Sequence, residues 1–427
     1  MEVLLLIIFA LFIRLEYNHL IARKALSFSS VFLVSYVGLF IVPIAVLGIN
    51  NADMSFLEYF YKDEIIYEKS KRMITIVLLQ AFIGTYVGRR LRLAGSNRMI
   101  FGIGKSYMPI INVITGFTLL LYVMMSGDMI YGEYTPENTI AGRTYVYRLF
   151  FVFYNIGIIN YLFSKGSKRA KMIFMLIMLF FLALSLFIGD RGPLVVTALY
   201  FSAWASKKGF WNLRRIVVIG FVGVFMLGII GAARSQRRNE TSVMNRYSKS
   251  LSLDFTNYGV GEGPLFELAR STKCLTAAIE DVELNGIKYG FFHSVYLTAT
   301  VPFLSNIYLQ FLDRDTDRYG SSSSYFTYLI QGTNPSYGNG TNIIADLYID
   351  FGEVLTYLIV FIFFFFIAGF EAGFYRSNYL TIEGVIFLVF YSVSFYLPRG
   401  SVFMQLEKIS LILLLIFTIK GLKFEKS

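Results

Sequence analysis

The sequence predicts an all-α protein that crosses a lipid bilayer many times and carries one long external loop. Three observations predict this class. Hydrophobic residues make up 56% of the 427 residues and charged residues only 16%, against roughly a quarter in a typical soluble domain. The apolar residues form runs separated by short basic segments. No run alternates apolar and polar residues as a barrel strand does, so each is expected to be a helix that satisfies its own backbone hydrogen bonds.

About eleven runs approach the roughly 20 apolar residues that a membrane-spanning helix needs. They lie at 2–16, 28–49, 73–91, 109–127, 147–164, 172–189, 193–206, 216–233, 353–373, 381–397 and 402–420. The first run begins with Glu2 and lacks the basic start and the small-residue cleavage site of a signal peptide, so we expect a retained span. Segment 293–312 is also apolar but contains His293 and Pro302. We expect it to lie against the membrane as an amphipathic or re-entrant element.

Basic residues predict the orientation of these spans. Clusters of Lys and Arg follow every second span, starting with Arg23 and Lys24 and ending with Lys420 and Lys423. The positive-inside rule places all of these clusters in the cytoplasm. The N-terminus is then external and the C-terminus cytoplasmic. The chain divides into an N-terminal bundle of about eight spans at 1–233, a long external loop at 234–352 and a C-terminal bundle of about three spans at 353–427.

Composition also excludes some classes of partner and cofactor. The formal charge of +11 would suggest nucleic acid in a soluble protein. Here most basic residues lie in short loops between spans, so membrane lipids are the expected partner and nucleic acid is not. The single cysteine, Cys274, and the two histidines, His19 and His293, predict neither a metal site nor a cofactor.

Two arginines lie beside glycine and proline at the predicted external ends of spans. Arg191 belongs to Gly-Asp-Arg-Gly-Pro at 189–193, and Arg399 to Pro-Arg-Gly-Ser at 398–401. One interpretation is that each side chain extends to the lipid headgroups, or that Arg191 pairs with Asp190. The alternative is an anion clamp, since glycine lets a bulky phosphate approach the backbone.

The long loop holds further candidates. Arg234, Arg237 and Arg238 open it directly after a predicted span, either as a collar against anionic headgroups or as bidentate ligands for phosphate. Glu267 and Arg270 are three residues apart and share a helix face. They form either a surface ion pair or a carboxylate base beside a cationic site.

Two carboxylates follow a glycine-rich stretch near the end of the loop. Asp346 and Asp350 are four residues apart and fall on one face of a predicted helix. They are either solvated at the mouth of a span, or they take a proton from a sugar hydroxyl or hydrogen-bond a sugar ring.

Several of these stretches together resemble the O-antigen polysaccharide polymerases of the Wzy type. The resemblance rests on GDRGP at 189–193, GPLFELARS at 263–271, KYGFFHSVYLTATVPFLSN at 288–306, YGNGTNIIADLYIDFG at 337–352 and PRGS at 398–401. It covers roughly the second half of the chain, while the first half matches only as apolar spans. Asp346 stands where the family usually has Glu.

The resemblance implies a fold like that of the GT-C glycosyltransferases and a reaction at the outer face of a bacterial cytoplasmic membrane. A growing glycan of an O-antigen or capsule passes from polyprenyl pyrophosphate to a new lipid-linked repeat unit. A flippase that delivers the units and a chain-length regulator are the implied partners. Arg191, Arg234, Arg237, Arg238, Arg270 and Arg399 would hold the pyrophosphate. Arg191 and Arg399 would also stabilise its developing charge, and Glu267 or Asp346 would accept the proton of the attacking hydroxyl.

Three other functions stay open on the sequence. A flippase for the same lipid-linked sugar is expected to have charges buried within its spans and paired internal repeats. An O-antigen ligase shares the donor but uses another acceptor. A non-enzymatic scaffold of an envelope assembly is the third.

Overall fold

A computed structural model describes most of the chain. The described residues are 2–47, 63–91, 108–126, 143–163, 167–188, 190–220, 222–223, 270–299, 301, 303–333, 335, 338–377 and 380–420. Helices supply the regular structure of these ranges, which contain no strand. The prediction of an all-α fold is confirmed.

The α-helices of the described ranges are numbered in chain order. In order they are α1 Glu2–Arg23, α2 Phe28–Tyr36, α3 Val42–Leu47, α4 Glu64–Leu91, α5 Met108–Met124, α6 Arg143–Phe163, α7 Lys168–Ile188, α8 Gly192–Lys207, α9 Lys273–Asn285, α10 Phe291–Thr298, α11 Leu304–Phe311, α12 Thr316–Tyr319, α13 Ser322–Gln331, α14 Ile343–Arg376, α15 Ile382–Val393 and α16 Val402–Lys420. A π-helical turn, Val37–Ile41, joins α2 to α3, and single 3₁₀ turns precede α9 and α16.

Six helical segments in the described ranges are long and apolar enough to cross a membrane. They are Glu2–Arg23, Phe28–Ala45, Glu64–Leu91, Arg143–Phe163, Lys168–Ile188 and Ile343–Arg376. Each coincides with a predicted span, and Met108–Met124 and Ile382–Val393 are shorter apolar helices at two further predicted positions. Predicted span 216–233 falls largely outside the described residues. The structure therefore has the apolar helices of a multi-pass membrane protein, while the count of about eleven spans remains a prediction.

The chain forms two compact units that do not follow the order of the sequence. The first unit combines Met1–Gly95, Tyr258–Arg376 and Val393–Ser410, and the second combines Ser96–Asn257, Ser377–Ser392 and Leu411–Ser427. The predicted division at residues 233 and 352 remains a prediction, since residues 234–269 lie outside the described residues.

In the first unit, α4 and α14 pack with their backbones in close approach. A Cβ atom added at Gly84 would lie 2.6 Å from the carbonyl oxygen of Phe361, and one at Gly88 would lie 2.3 Å from that of Phe365. Glycines four residues apart lie on one face of a helix and let a second helix approach closely, a common device between helices in lipid. The two glycines therefore set the distance between α4 and α14, the two longest helices in the described part of the chain.

A buried ionic cluster ties the ends of α1, α4 and α14 together. The Arg89 guanidinium contacts Oε1 of Glu16 at 3.0 Å and Oε2 of Glu371 at 3.4 Å. Glu16 also accepts hydrogen bonds from the hydroxyls of Ser29 and Ser30, and Oε1 of Glu371 accepts one from the backbone N–H of Phe28. The sequence suggested that Arg89 is a loop charge that fixes orientation, whereas the structure gives it two carboxylate partners.

Polar side chains link the helices of the second unit. The Tyr154 hydroxyl of α6 lies 2.7 Å from the Thr197 hydroxyl of α8, and Tyr200 donates to Asn155 Oδ1 at 2.6 Å. Asn112 of α5 donates to the carbonyl of Ala170 in α7 at 2.7 Å. Such bonds between apolar helices satisfy polar groups that lipid cannot.

The close backbone contact at Gly88 predicts that one added methyl group lowers the stability of the protein. Gly88→Ala forces α4 away from the Phe365 carbonyl, and we expect a loss of about 1–3 kcal/mol in stability. The thermal unfolding midpoint of the purified protein in detergent measures it. Gly373→Ala is the matched control within α14, because its Cβ would meet no atom within 4 Å. Equal midpoints for the two variants would contradict the close backbone contact.

The ionic cluster predicts that replacing Arg89 destabilises the protein far more than replacing the adjacent Arg90. Arg89→Met leaves Glu16 and Glu371 buried without their cation, and we expect a loss of roughly 3–5 kcal/mol or failure to accumulate in the membrane. The adjacent Arg90 is exposed and stacks on Tyr86, so Arg90→Met should leave the unfolding midpoint nearly unchanged. The opposite ranking of the two variants would be incompatible with the cluster.

Candidate functional site

The candidate site is built around the first turns of α14, directly after the glycine-rich stretch. Asn342 caps the helix, since its Oδ1 accepts from the backbone N–H of Ala345 at 2.9 Å. Its Nδ2 donates to the carbonyl of Ser271 at 2.8 Å. Asparagine is among the preferred N-cap residues, and a carboxylate in the first turn suits the helix dipole. Asp346 lies in that first turn, where it is fully buried.

A break in α14 at Gly352 exposes backbone acceptors beside this turn. Gly352 has φ +71°, a conformation that favours glycine. Because the helix is interrupted there, carbonyls before the break are released from the regular pattern. The carbonyl of Ile349 accepts from Lys288 N–H at 2.8 Å, and that of Asp350 accepts from Gly290 N–H at 3.1 Å. These bonds fix the start of α10 against α14.

The imidazole of His293, in the first turn of α10, lies between two carboxylates of α14. Its Nδ1 is 2.5 Å from Oδ2 of Asp350, and that oxygen also accepts the backbone N–H of His293 at 3.0 Å. Its Nε2 faces Oδ2 of Asp346 at 3.4 Å. The ring is 3% exposed and both carboxylates are 0% exposed. The predicted i, i+4 pair of aspartates is therefore a pair of anions around one buried ring.

The two carboxylates hold a proton on His293. Burial by itself lowers the pKa of this imidazole, but the neighbouring Asp346 and Asp350 outweigh burial and raise the pKa to about 9. The ring is thus an imidazolium at neutral pH, with Nδ1 hydrogen-bonded to Asp350 and Nε2 at ion-pair distance from Asp346. One cation between two anions compensates charges that are otherwise very costly to bury.

Two hydroxyls extend this group into what we call the histidine network: His293, Asp346, Asp350, Ser322 and Tyr296. Ser322, at the first residue of α13, donates to Oδ1 of Asp346 at 2.5 Å. The Tyr296 hydroxyl of α10 lies 2.8 Å from the Ser322 hydroxyl. The network joins α10, α13 and α14 through their polar side chains, all in the first unit.

Arg399 lies beside the glycine-rich stretch that leads into α14. The position that a Cβ of Gly340 would take is 3.6 Å from Arg399 Nε and 3.4 Å from the Ser271 hydroxyl. Gly340 has φ +75°, so the turn favours glycine here. Arg399 is half-buried and ends the 3₁₀ turn Leu397–Arg399, which packs against α14.

A ring contact connects the histidine network to the segment that follows Arg399. The ring of Phe403, in the first turn of α16, lies edge-on to the ring of His293, with the two centroids 4.2 Å apart. Phe351 covers the imidazole from α14 at 4.7 Å. Arg399 is four residues before Phe403, so the histidine network and the arginine turn are packed as one site.

The structure gives less detail for the other predicted site residues. Arg191 precedes α8 in the second unit, where Oδ1 of the adjacent Asp190 accepts the Gly192 N–H at 2.9 Å. Arg270 starts the 3₁₀ turn before α9. Glu267, Arg234, Arg237 and Arg238 lie outside the described residues. Their proposed roles stay predictions.

The histidine network is suited to holding neighbouring groups in position rather than to reacting with a substrate. Asp346 was predicted as a base for an acceptor hydroxyl, but its carboxylate is buried and occupied by Ser322 and His293. In this conformation it holds the helix start in place beside Arg399. Arg399 is half-buried, and a guanidinium is a side chain that can bind an anion through two parallel hydrogen bonds.

The described residues contain neither a group arranged to hold a metal ion nor a reactive thiol. In the ranges described above, no group of three or more His, Cys, Asp or Glu is arranged to hold a metal ion. Cys274 is buried, and burial raises the pKa of its thiol to about 12, against the influence of Lys273 and Arg399 nearby. The thiol is therefore protonated and unreactive at neutral pH.

Comparison with protein-family models, curated proteins and solved structures found no match for this chain. Any function must therefore be argued from the residues of the site.

His293, Ser322 and Tyr296 were not predicted as site residues. One signal was present for His293, because it lies in a segment that carries the family resemblance. Its partners are 53 and 57 residues away in the chain, and no local pattern connects positions so far apart. Ser322 and Tyr296 gave no signal, since hydroxyls are common in such loops.

The charged state of His293 predicts a fall in stability at alkaline pH. The pKa of His293 is raised from 6.5 in the unfolded chain to about 9. The stabilisation of the fold by the charged imidazole is therefore complete below pH 6.5 and is lost as the pH rises through 9. We expect the thermal unfolding midpoint to fall over that interval, and His293→Gln to remove this part of the pH dependence.

The other histidine provides the control. His19→Gln should keep the fall between pH 6.5 and 9, because His293 is unchanged. A His293→Gln variant with the pH profile of the wild type would show that the imidazolium does not contribute.

Proposed function

We propose that this protein polymerises a surface polysaccharide such as an O-antigen or capsule, acting at the outer face of the bacterial cytoplasmic membrane. One observation carries the proposal: three segments of the resemblance that are far apart in sequence come together. His293 of the first meets Asp346 and Asp350 of the second. Arg399 of the third lies against Gly340 of the second. If the short motifs resembled the family only by chance, there would be no reason for them to lie together in the fold.

The proposed reaction transfers the growing glycan between two lipid carriers. The hydroxyl oxygen of the new lipid-linked unit attacks the anomeric carbon of the growing chain. The bond from that carbon to the pyrophosphate oxygen breaks, and polyprenyl pyrophosphate leaves with the electron pair. A carboxylate accepts the proton of the hydroxyl.

Arg399 is the residue that we assign to the leaving pyrophosphate. A guanidinium can donate two parallel hydrogen bonds to phosphate oxygens, and it stabilises the negative charge that grows as the bond breaks. Arg191, Arg234, Arg237, Arg238 and Arg270 remain further candidates for the same anion. Since Asp346 is engaged within the histidine network, Glu267 is the better candidate for the base.

One feature favours a flippase as the second candidate. Arg89, Glu16 and Glu371 are charged groups buried within three helices that are long and apolar enough to span the membrane. Buried charges of this kind are expected in a transporter. They lie near the helix ends, however, where they also serve to anchor α1, α4 and α14. A ligase is the third candidate, because it shares the lipid-linked donor.

Reconstitution separates these candidates. Purified protein in liposomes would receive lipid-linked repeat units isolated from the cells that carry it. Products longer than one unit indicate a polymerase, and transfer to a different acceptor indicates a ligase. Movement of the unit across the bilayer without bond change indicates a flippase. We expect longer products, and products of one unit only would contradict the proposal.

Within that assay, Arg399 variants test the assigned role. Arg399→Ala should lower the rate of polymerisation on the order of 100-fold or more, and Arg399→Lys should restore only part of it, because an ammonium lacks the bidentate fork. Arg72→Ala is the control, since that half-exposed arginine pairs with Glu353 in the same unit. Full activity of Arg399→Ala at normal protein levels would remove Arg399 from the mechanism.

A further inference from the structure

Helices α10 and α11 form a hairpin whose outer surface is strongly apolar. Large apolar side chains are exposed along α11 and just before it: Phe303 is 60%, Ile307 58% and Phe311 86% exposed. Leu297 at the end of α10 and Val301 just after it are about as exposed. In water, so much contiguous apolar surface is uncommon on a protein, and it marks an interaction site.

The exposed residues of α11 fall on two separate stripes. Leu304, Ile307 and Phe311 are spaced by three and four residues and therefore share one face. Asn306 and Gln310, four residues apart, are also exposed and form a polar stripe beside it. Leu309 is fully buried, and at about 100° per residue it lies nearly opposite the apolar stripe. The apolar stripe thus faces away from the protein, which is the pattern of a helix that lies in a membrane interface.

The hairpin begins beside the turn of α14 after which that helix exposes apolar side chains. Gly290, just before α10, donates to the carbonyl of Asp350 at 3.1 Å. One turn beyond Asp350, α14 exposes Val354 and then Leu358, 78% and 49% exposed, as lipid-facing residues do. The ring of Phe291 in α10 stacks on that of Tyr308 in α11, so α11 packs against the start of α10. The hairpin is therefore held beside the turn of a candidate span from which that span exposes apolar side chains.

We propose that the α10–α11 hairpin inserts the face formed by Phe303, Leu304, Ile307 and Phe311 into the headgroup–acyl boundary of the bilayer, with Asn306 and Gln310 toward the water. Neither helix can cross the membrane, since each has eight residues and a span needs about 20. The lipid bilayer is the favoured occupant because the hairpin is hydrogen-bonded to α14, a candidate span that exposes apolar side chains from Val354 onward. The inference does not depend on the polymerase activity.

This arrangement places the histidine network at the membrane surface. His293 is in the first turn of the hairpin and Asp350 is at the break of α14. The hairpin therefore holds the candidate site at the depth of the lipid headgroups. If the proposed function is correct, that is also the depth of a lipid-linked pyrophosphate.

Spin-label accessibility in lipid nanodiscs tests the insertion. Ile307→Cys, Phe311→Cys and Gln310→Cys would each carry one nitroxide, while the buried native Cys274 stays unlabelled. We expect labels at 307 and 311 to collide severalfold more with oxygen, which concentrates in lipid, than with a water-soluble nickel chelate. The label at 310, on the polar stripe, should show the reverse.

Two outcomes would overturn the proposal. Preference for the nickel chelate at all three positions means that the hairpin stands in water. Low collision rates with both reagents at 307 and 311 mean that a protein surface, such as a second copy of the chain, covers the stripe. Unchanged unfolding midpoints of the labelled proteins show that the hairpin is intact, and both results are independent of any enzymatic assay.

Discussion

The protonated imidazole of His293, held between the carboxylates of Asp346 and Asp350, is the interaction on which the candidate site depends. It is buried from water, and each charge is tolerable there only because the others compensate it. The same contact fixes the start of α14, the hairpin of α10 and α11, and, through the ring of Phe403, the segment after Arg399. Loss of this one charge would leave two anions side by side in the interior.

The long helix α14 carries a polar cluster at each end. Asp346 and Glu371 are 25 residues apart within it, about 37 Å along an unbroken helix. That length is comparable to the roughly 30 Å of a bilayer core. From Val354 to Phe370 the helix carries no charged residue, and Gly84 and Gly88 of α4 lie directly against its backbone. The histidine network and the Arg89 cluster thus lie toward opposite ends of α14, with closely packed apolar helices between them.

Much of the helical architecture could be predicted from the sequence, because lipid imposes long apolar helices whatever their tertiary contacts. Asp346 and Asp350 were also placed correctly on one face, since a four-residue spacing is local. The pairing of Asp350 with His293 and of Arg89 with Glu16 and Glu371 could not be predicted, because these contacts join distant segments. Arg89 resembled the other basic residues at span ends, and only packing distinguishes it from the exposed Arg90.

The protonation state of His293 is the most direct test of the account. In the His19→Gln variant, ¹⁵N-labelled histidine gives the signals of a single imidazole, because the chain has only two histidines. Nuclear magnetic resonance of that variant in detergent or nanodiscs should show both ring nitrogens protonated at neutral pH, with deprotonation only near pH 9. A neutral ring at pH 7.5, one unit above the ordinary value of about 6.5, would contradict a charged clamp between Asp346 and Asp350.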